Sequence, residues 1–298
     1  MLLATSGCAS DRTTATETDA PASSTIAPEE LLSASFTGIY AAPVHLENGA
    51  FVGDTFTAES VSRPKVKLVP ELQIHQDLNN DNLPEALVLL TASSGGSGNY
   101  TYLALMGRRA GQLKNLDTVL LGDRVQIRNL TASGRNITAE LVAHGPEDPA
   151  CCPKTVVRHE WRLIEDRLVS QSIVDIGPLS LRLLEGVTWD LVSMSPADTK
   201  LSLNGISLQV NGQQLSGSGG CNRYQTSVTH ADAGALSLGP VAATQRACGD
   251  PRDASEIQYL SALQSTQRLG FSFGNLALTF AGEHGTGRLL FRTHKTQE

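Results

Sequence analysis

Two segments in the last third of the chain restrict its fold more than anything else in it. They are Gly219-Gly220-Cys221-Asn222-Arg223-Tyr224 and, about 20 residues on, Thr244-Gln245-Arg246-Ala247-Cys248. Gly217, Gly219 and Gly220 let the backbone take positive φ and approach a neighbour closely. Asn222 can hydrogen-bond its own turn. The second cysteine stands just before a helix-like stretch, Asp253–Arg268. A chain that needs such turns is built from short strands, and 27 glycines with 5% aromatic residues agree with that.

The length of 298 residues predicts two domains, each able to bury a core. A net charge of −7 and a pI near 5.5 argue against a nucleic-acid or anionic-membrane partner, because no basic run is long enough to neutralise a phosphate track. No stretch of 18 apolar residues is present to span a bilayer. The fold class expected is α+β, predominantly antiparallel β, in two β-rich domains.

The N-terminal Leu2-Leu3-Ala4-Thr5-Ser6-Gly7-Cys8-Ala9-Ser10 resembles the end of a bacterial lipoprotein signal. The likeness implies a diacylglycerol thioether on Cys8 and cleavage before it. Thr5 stands where that pattern prefers Leu, and the basic and apolar parts of a signal would lie upstream of Met1. Residues 9–30 are rich in Ala, Ser, Thr, Pro and acidic side chains, which predicts a disordered tether. Ala9 after the cysteine implies an outer-membrane anchor facing the periplasm.

From 31 to 177, short β-rich runs separated by turns predict an antiparallel sheet or sandwich. Leu87–Leu90, Thr101–Leu105, Val125–Ile127 and Ile137–Val142 are the clearest strands. Within this region Asp77, Asn79, Asp81, Leu83 and Glu85 place oxygen ligands at a spacing suited to a hard cation. The string resembles calcium loops of FG-GAP and dockerin-type repeats, with Asn82 where those have Gly and Glu85 where they end in Asp. Ca²⁺ is the cofactor this implies; the alternative is an Asx-rich turn that caps itself.

His144-Gly145-Pro146-Glu147-Asp148-Pro149-Ala150-Cys151-Cys152-Pro153 offers too few ligands for zinc. A disulfide between Cys151 and Cys152, or a rigid Pro-rich loop, is the structural reading; redox and metal roles stay open. The string is similar to ones in uncharacterised bacterial lipoproteins, which implies no activity.

After a linker at 178–185, residues 186–293 carry an ordered set of motifs, with 294–298 as a tail. Gly186–Ser193 is an opening strand with Trp189 and Leu191 alternating inward. Asn211-Gly212 is a type I′ hairpin signal. Asp253 with Glu256 is a capping-box-like helix start. Ile257, Leu260 and Leu263, with Tyr259 and Ala262 alongside, form an apolar stripe. Leu276–Phe280 and Arg288–Phe291 close as a hairpin. With Gly220, Asn222, Arg223, Tyr224 and Thr244, this order resembles the META domain of bacterial envelope lipoproteins. A Cys221–Cys248 bridge would close a loop of about 27 residues, worth about 3 kcal/mol. The motif residues are read as a scaffold, or alternatively as a surface site formed by Asn222, Arg223 and Thr244.

The chain has no Gly-x-Ser-x-Gly, phosphate loop, dinucleotide fingerprint or His-Glu-x-x-His. The expectation is a non-enzymatic envelope lipoprotein, held to the bilayer through Cys8 and binding an envelope protein. The resemblance adds stress response and envelope integrity. The alternatives are a lysozyme- or protease-inhibitor-like binder and a Ca²⁺-dependent adhesion or sensing module.

Overall fold

The computed structural model describes residues 25–55, 62–145, 148, 152–196, 201–282 and 285–294. Cys8 and Cys151 lie outside the described residues, and with them the expected lipidation and vicinal disulfide. Cys152 is disulfide-bonded.

The first domain is a β-sandwich under a short helical cap. Helix α1 (Pro28–Leu32) leads into a small ribbon of β1 (Ser35–Phe36) and β2 (Val44–His45). A five-stranded antiparallel meander follows: β3 (Ala50–Val52), β4 (Lys65–Gln76), β5 (Glu85–Ser93), β6 (Tyr100–Arg109) and β7 (Gln112–Asp123). A second meander has β8 (Gln126–Ser133), β9 (Asn136–Ala143), β10 (Thr155–Ile164) and β11 (Arg167–Pro178). Strand β5 is buried on both faces, so it reads as a continuous apolar run. Side chains alternate along a strand: Ala86, Val88 and Leu90 pack under α1 and the ribbon, while Leu87 and Leu89 meet the second sheet's Ile137, Leu141 and Trp161.

The expected tether does not extend to residue 30. Ile26 is buried, and Glu30 pairs with Arg108 at 2.8 Å. Arg108, about 80 residues away, supplies the partner that local composition could not reveal.

The second domain is a closed barrel. After a 3₁₀ turn at Leu181–Leu184 come β12 (Thr188–Ser195), β13 (Ile206–Asn211), β14 (Gln214–Gly219), β15 (Arg223–Asp232), β16 (Ala235–Leu238) and the two-residue β17 (Ala242–Ala243). Helix α2 (Arg252–Gln264) precedes β18 (Thr266–Ser272), β19 (Asn275–Gly282) and β20 (Gly285–Thr293). The order β14-β13-β12-β20-β19-β18-β16-β15 closes because β14 also pairs with β15, giving eight antiparallel strands. Eight strands leave an interior that side chains can fill. Here Trp189, Leu191, Leu208, Tyr224, Leu278, Leu289 and Phe291 fill it, with Tyr259 and Leu263 from α2.

Several expectations change here. The linker at 178–185 belongs to the barrel: Leu179, Leu181 and Leu184 are buried in its core, and the Trp189 indole donates to the Leu184 carbonyl at 3.2 Å. The helix stops at Gln264, because Thr266–Ser272 is claimed by pairing with β19. Its buried face is Ser255, Glu256, Tyr259, Ala262 and Leu263, whereas Ile257 is 69% exposed. Asp253 and Glu256 form no capping box: Asp253 accepts from Cys248 and Gly249 just before the helix, and Glu256 from the distant Asn222. The hairpin loop is Gly212-Gln213 rather than Asn211-Gly212, since Asn211 still pairs with Gln214. His294, expected in the tail, donates its backbone N–H to Thr188 O at 2.7 Å.

Candidate functional site

The two opening segments meet at one end of the barrel, where β14 turns into β15 against the N-terminus of α2. Cys221 and Cys248 are disulfide-bonded with Cα atoms 5.9 Å apart. Beside them Asn222 uses every polar atom it has. Its backbone N–H donates to Glu256 Oε1 (2.6 Å), and Nδ2 donates to Glu256 Oε2 (2.7 Å) and Arg246 O (2.9 Å). Its Oδ1 accepts from Thr244 Oγ1 (2.9 Å) and the Arg246 N–H (2.8 Å). Arg246 in turn donates to Cys221 O at 2.6 Å. The Asp253 carboxylate accepts the Cys248 and Gly249 N–H groups, both at 3.0 Å.

Tyr224 points into the barrel. Its hydroxyl donates to Ser207 O (2.9 Å) and accepts from Tyr259 (2.6 Å). Burial pushes both phenols well above their ordinary pKa, so neither serves as a base near neutrality. Gly217 and Gly219 are small for a steric reason. A Cβ on Gly217 would fall inside contact distance of the Ser207 carbonyl, and one on Gly219 inside that of the Glu256 carboxylate. Gly220 has φ +101°. Asn222 and Thr244 therefore share one knot, with Gly220 in the turn beside it and Tyr224 in the barrel interior, while the Arg223 side chain is exposed. The participant that sequence reasoning missed is Glu256, a buried acid on an otherwise amphipathic helix.

Outside the barrel wall a groove of about 790 Å³ runs past Ser207, Ser216, Ser218, Arg223 and Thr244. It is open to solvent, with Ala242 and Ala243 beside the polar side chains.

The Asp77–Glu85 loop sits at the entrance to β5. Asp77 accepts the N–H groups of Asn80, Asp81 and Asn82, and Asp81 accepts that of Leu83. Asn79 Nδ2 bridges Asp81 Oδ2 (3.0 Å) and Glu85 Oε1 (2.8 Å). Asn80 and Asn82 take left-handed φ of 64° and 68°, which Asn tolerates better than most residues. Asp77, Asn79, Asp81 and Glu85 are thus brought together, and the loop caps itself. The one group of three acidic, His or Cys ligand atoms within 4.8 Å of one another among the described residues is Cys221, Cys248 and Asp253. Two of those are joined as a disulfide. Burial first, and then the Asp81 and Asp77 charges, raise the Glu85 pKa; the Leu78 N–H and Arg109 oppose them.

Near Cys152, Asp148 accepts the N–H groups of Gly145 and Lys154, both at 2.9 Å. These bonds close the base of the Pro-rich loop.

Residues 182–295 match the META domain. The META domain of this chain is therefore the closed barrel, and its motif residues are the knot that ties β14, β15 and the loop before α2. No curated protein matches the chain. A solved structure, the NMR structure of a protein from Burkholderia xenovorans, is 26% identical, covering 39% of this chain and 86% of that one, with a TM-score of 0.31.

Proposed function

We propose that this chain is a non-enzymatic, protein-binding component of the bacterial envelope, anchored through Cys8, in which the META domain is a rigid scaffold. Stress response and envelope integrity are the roles that the META resemblance attaches to such a component. The observation that carries protein binding is the edge strand β11. It exposes Val169 (39%), Ile173 (64%), Val174 (47%) and Ile176 (38%) in a stretch of eight residues. Val169 and Val174 pair opposite Arg162 and Arg158 on one face and Ile173 opposite His159 on the other, so the apolar cover wraps the sheet edge. Such a concentration suits an interaction surface, because a protein surface usually scatters exposed apolar residues. Two register shifts against β10 interrupt the strand, so contact runs through side chains rather than strand addition.

The test uses tether-less protein immobilised against envelope extract, beside an Ile173→Lys/Val174→Lys variant with an unchanged melting temperature. A specific partner retained by the first and lost by the second is expected; equal capture by both sinks the reading. Mass spectrometry of membrane-extracted protein checks the anchor, and an unmodified Cys8 removes it.

A second reading has its own observation. Ala242–Ala247 is exposed, yet pairing with β15 holds its start, and Asn222 and the disulfide pin its end. A braced loop of this kind suits an inhibitor inserted into an enzyme cleft. Lysozyme and serine-protease assays test it; unimpaired enzymes at saturating concentrations of the chain exclude it.

A further inference from the structure

The turn between β18 and β19 breaks a local rule. Ser272 pairs with Asn275, so the loop has two residues, Phe273 and Gly274, with φ of 47° and 84°. Positive φ at both positions is the type I′ pattern, which favours Asn-Gly. A bulky aromatic residue in the left-handed region is disfavoured, and it persists only where its surroundings hold it there. Here the surroundings belong to the other domain. Phe273 leaves the barrel and packs against the sandwich core of Leu87, Ile127 and Trp161.

The backbone around it is tied to the same place. The Gly274 N–H donates to Ile127 O (2.9 Å), and the Phe271 N–H donates to the Gln126 side chain (2.8 Å). Gly270 leaves room for that side chain, because a Cβ there would collide with Gln126 Oε1. Arg128 lies 5.7 Å over the Phe271 ring and donates to Leu183 O at 3.0 Å. The exchange is reciprocal: Val142 and Val156 of the sandwich are fully buried in the barrel core.

We propose that the Phe273-Gly274 turn is a latch that makes the sandwich and the META barrel one unfolding unit. The strained turn is kept because it lays one domain's side chain against the other's core. The META domain of this chain is consequently not a free module on a string.

The chain's two tryptophans report the two halves separately: Trp161 lies in the sandwich core and Trp189 in the barrel core. Urea unfolding of the full chain is followed by fluorescence in Trp161→Phe and Trp189→Phe backgrounds. In each background the fluorescence curve is expected to coincide with the far-ultraviolet circular dichroism curve of the same protein; distinct midpoints by the two probes with the native turn overturn the proposal. Phe273→Asn then decides the latch by the sign of its effect. Asn suits a type I′ turn better than Phe, so a turn with no latch role is stabilised or unchanged by it, and that result overturns the assignment. A latch predicts the opposite, a melting temperature lower by several degrees, on the order of what the loss of one packed aromatic produces. That drop supports the proposal whether the two curves separate or fall together.

Discussion

Asn222 and Glu256 hold each other through two hydrogen bonds, 2.6 Å from the Asn222 backbone N–H and 2.7 Å from its side-chain amide, with both residues under 10% exposed. The carboxylate joins α2 to the residue that follows Cys221, so helix α2 and the β14–β15 turn are tied together. Asn222→Ala leaves the backbone N–H bond to Glu256 in place but strips the amide donor from that buried carboxylate and the acceptor from the Thr244 hydroxyl and the Arg246 N–H. A loss of about 2–4 kcal/mol is expected, since a broken buried charge contact costs more than an exposed one. Asn222→Asp has nearly the same shape but sets two carboxylates within hydrogen-bonding distance. They cannot both ionise cheaply, so one binds a proton more tightly folded than unfolded. The penalty is then present at pH 7 and shrinks as pH falls toward 4.5. Urea midpoints at the two pH values check this, and an Asp variant as stable as the parent at pH 7 contradicts it.

Reduction of the Cys221–Cys248 bridge acts on the unfolded chain more than on the folded one. The bridge closes a 27-residue separation, and releasing it is expected to cost about 3 kcal/mol by loop entropy. The fold itself should survive, because Asn222, Arg246 and Asp253 still fasten the same loop by hydrogen bonds. A phosphine-reduced sample should keep its near-ultraviolet circular dichroism while its urea midpoint drops. An unchanged midpoint would show that the bridge contributes nothing.

The elements legible in the sequence were those whose signal is local. Leu87–Leu90 and Ile137–Val142 are strands because β-branched and leucine runs between turn residues have little else to form. The order of motifs through the barrel was equally plain. What local pattern could not supply was each partner across the fold. Thr266–Ser272 has a composition that a helix tolerates, and only pairing with β19 makes it a strand. The stripe through Ile257 was a fair helical period, but the anchor of α2 is Glu256, and nothing near residue 256 reveals that Asn222 awaits it. Ile26 and Leu184 looked like tether and linker for the same reason.

Glycine substitutions separate steric need from mere tolerance. Gly217 lies between the Ser207 carbonyl and the Tyr224 hydroxyl, and Gly219 lies against Glu256. Alanine at 217 must push a β13 carbonyl aside, so loss of soluble protein or a cost at or above the upper end of about 1–3 kcal/mol for overpacked core sites is expected. Gly219→Ala should cost less, since a side chain can shift where a backbone cannot. Gly96, with open space around the added Cβ, is the control and should leave the melting temperature within a degree or so. Equal melting temperatures for Gly96→Ala and Gly217→Ala would refute the steric account.

The Glu85 carboxyl gives the sandwich a pH dependence of definite sign. Its pKa is raised in the folded chain, chiefly by burial, so the folded state binds the proton more tightly than the unfolded state. Stability therefore falls as pH rises from the ordinary Glu range through the raised value, and the cost is absent below both. Glu85→Gln removes the ionisation but keeps an oxygen for the Leu78 N–H, which now donates at 3.0 Å. The Gln variant should thus gain on the parent between pH 4 and pH 7, measured as the difference in urea midpoints. A flat difference would mean that Glu85 titrates normally. The same residue decides the calcium question, because a divalent cation beside Asp77, Asp81 and Glu85 would relieve the cost of ionising Glu85. In the self-capped loop Asn79 Nδ2 already takes the position between Asp81 and Glu85. Millimolar Ca²⁺ and EDTA are consequently expected to give the same melting temperature at pH 7; a rise of several degrees with Ca²⁺, lost in Glu85→Gln, would establish the loop as a calcium site instead.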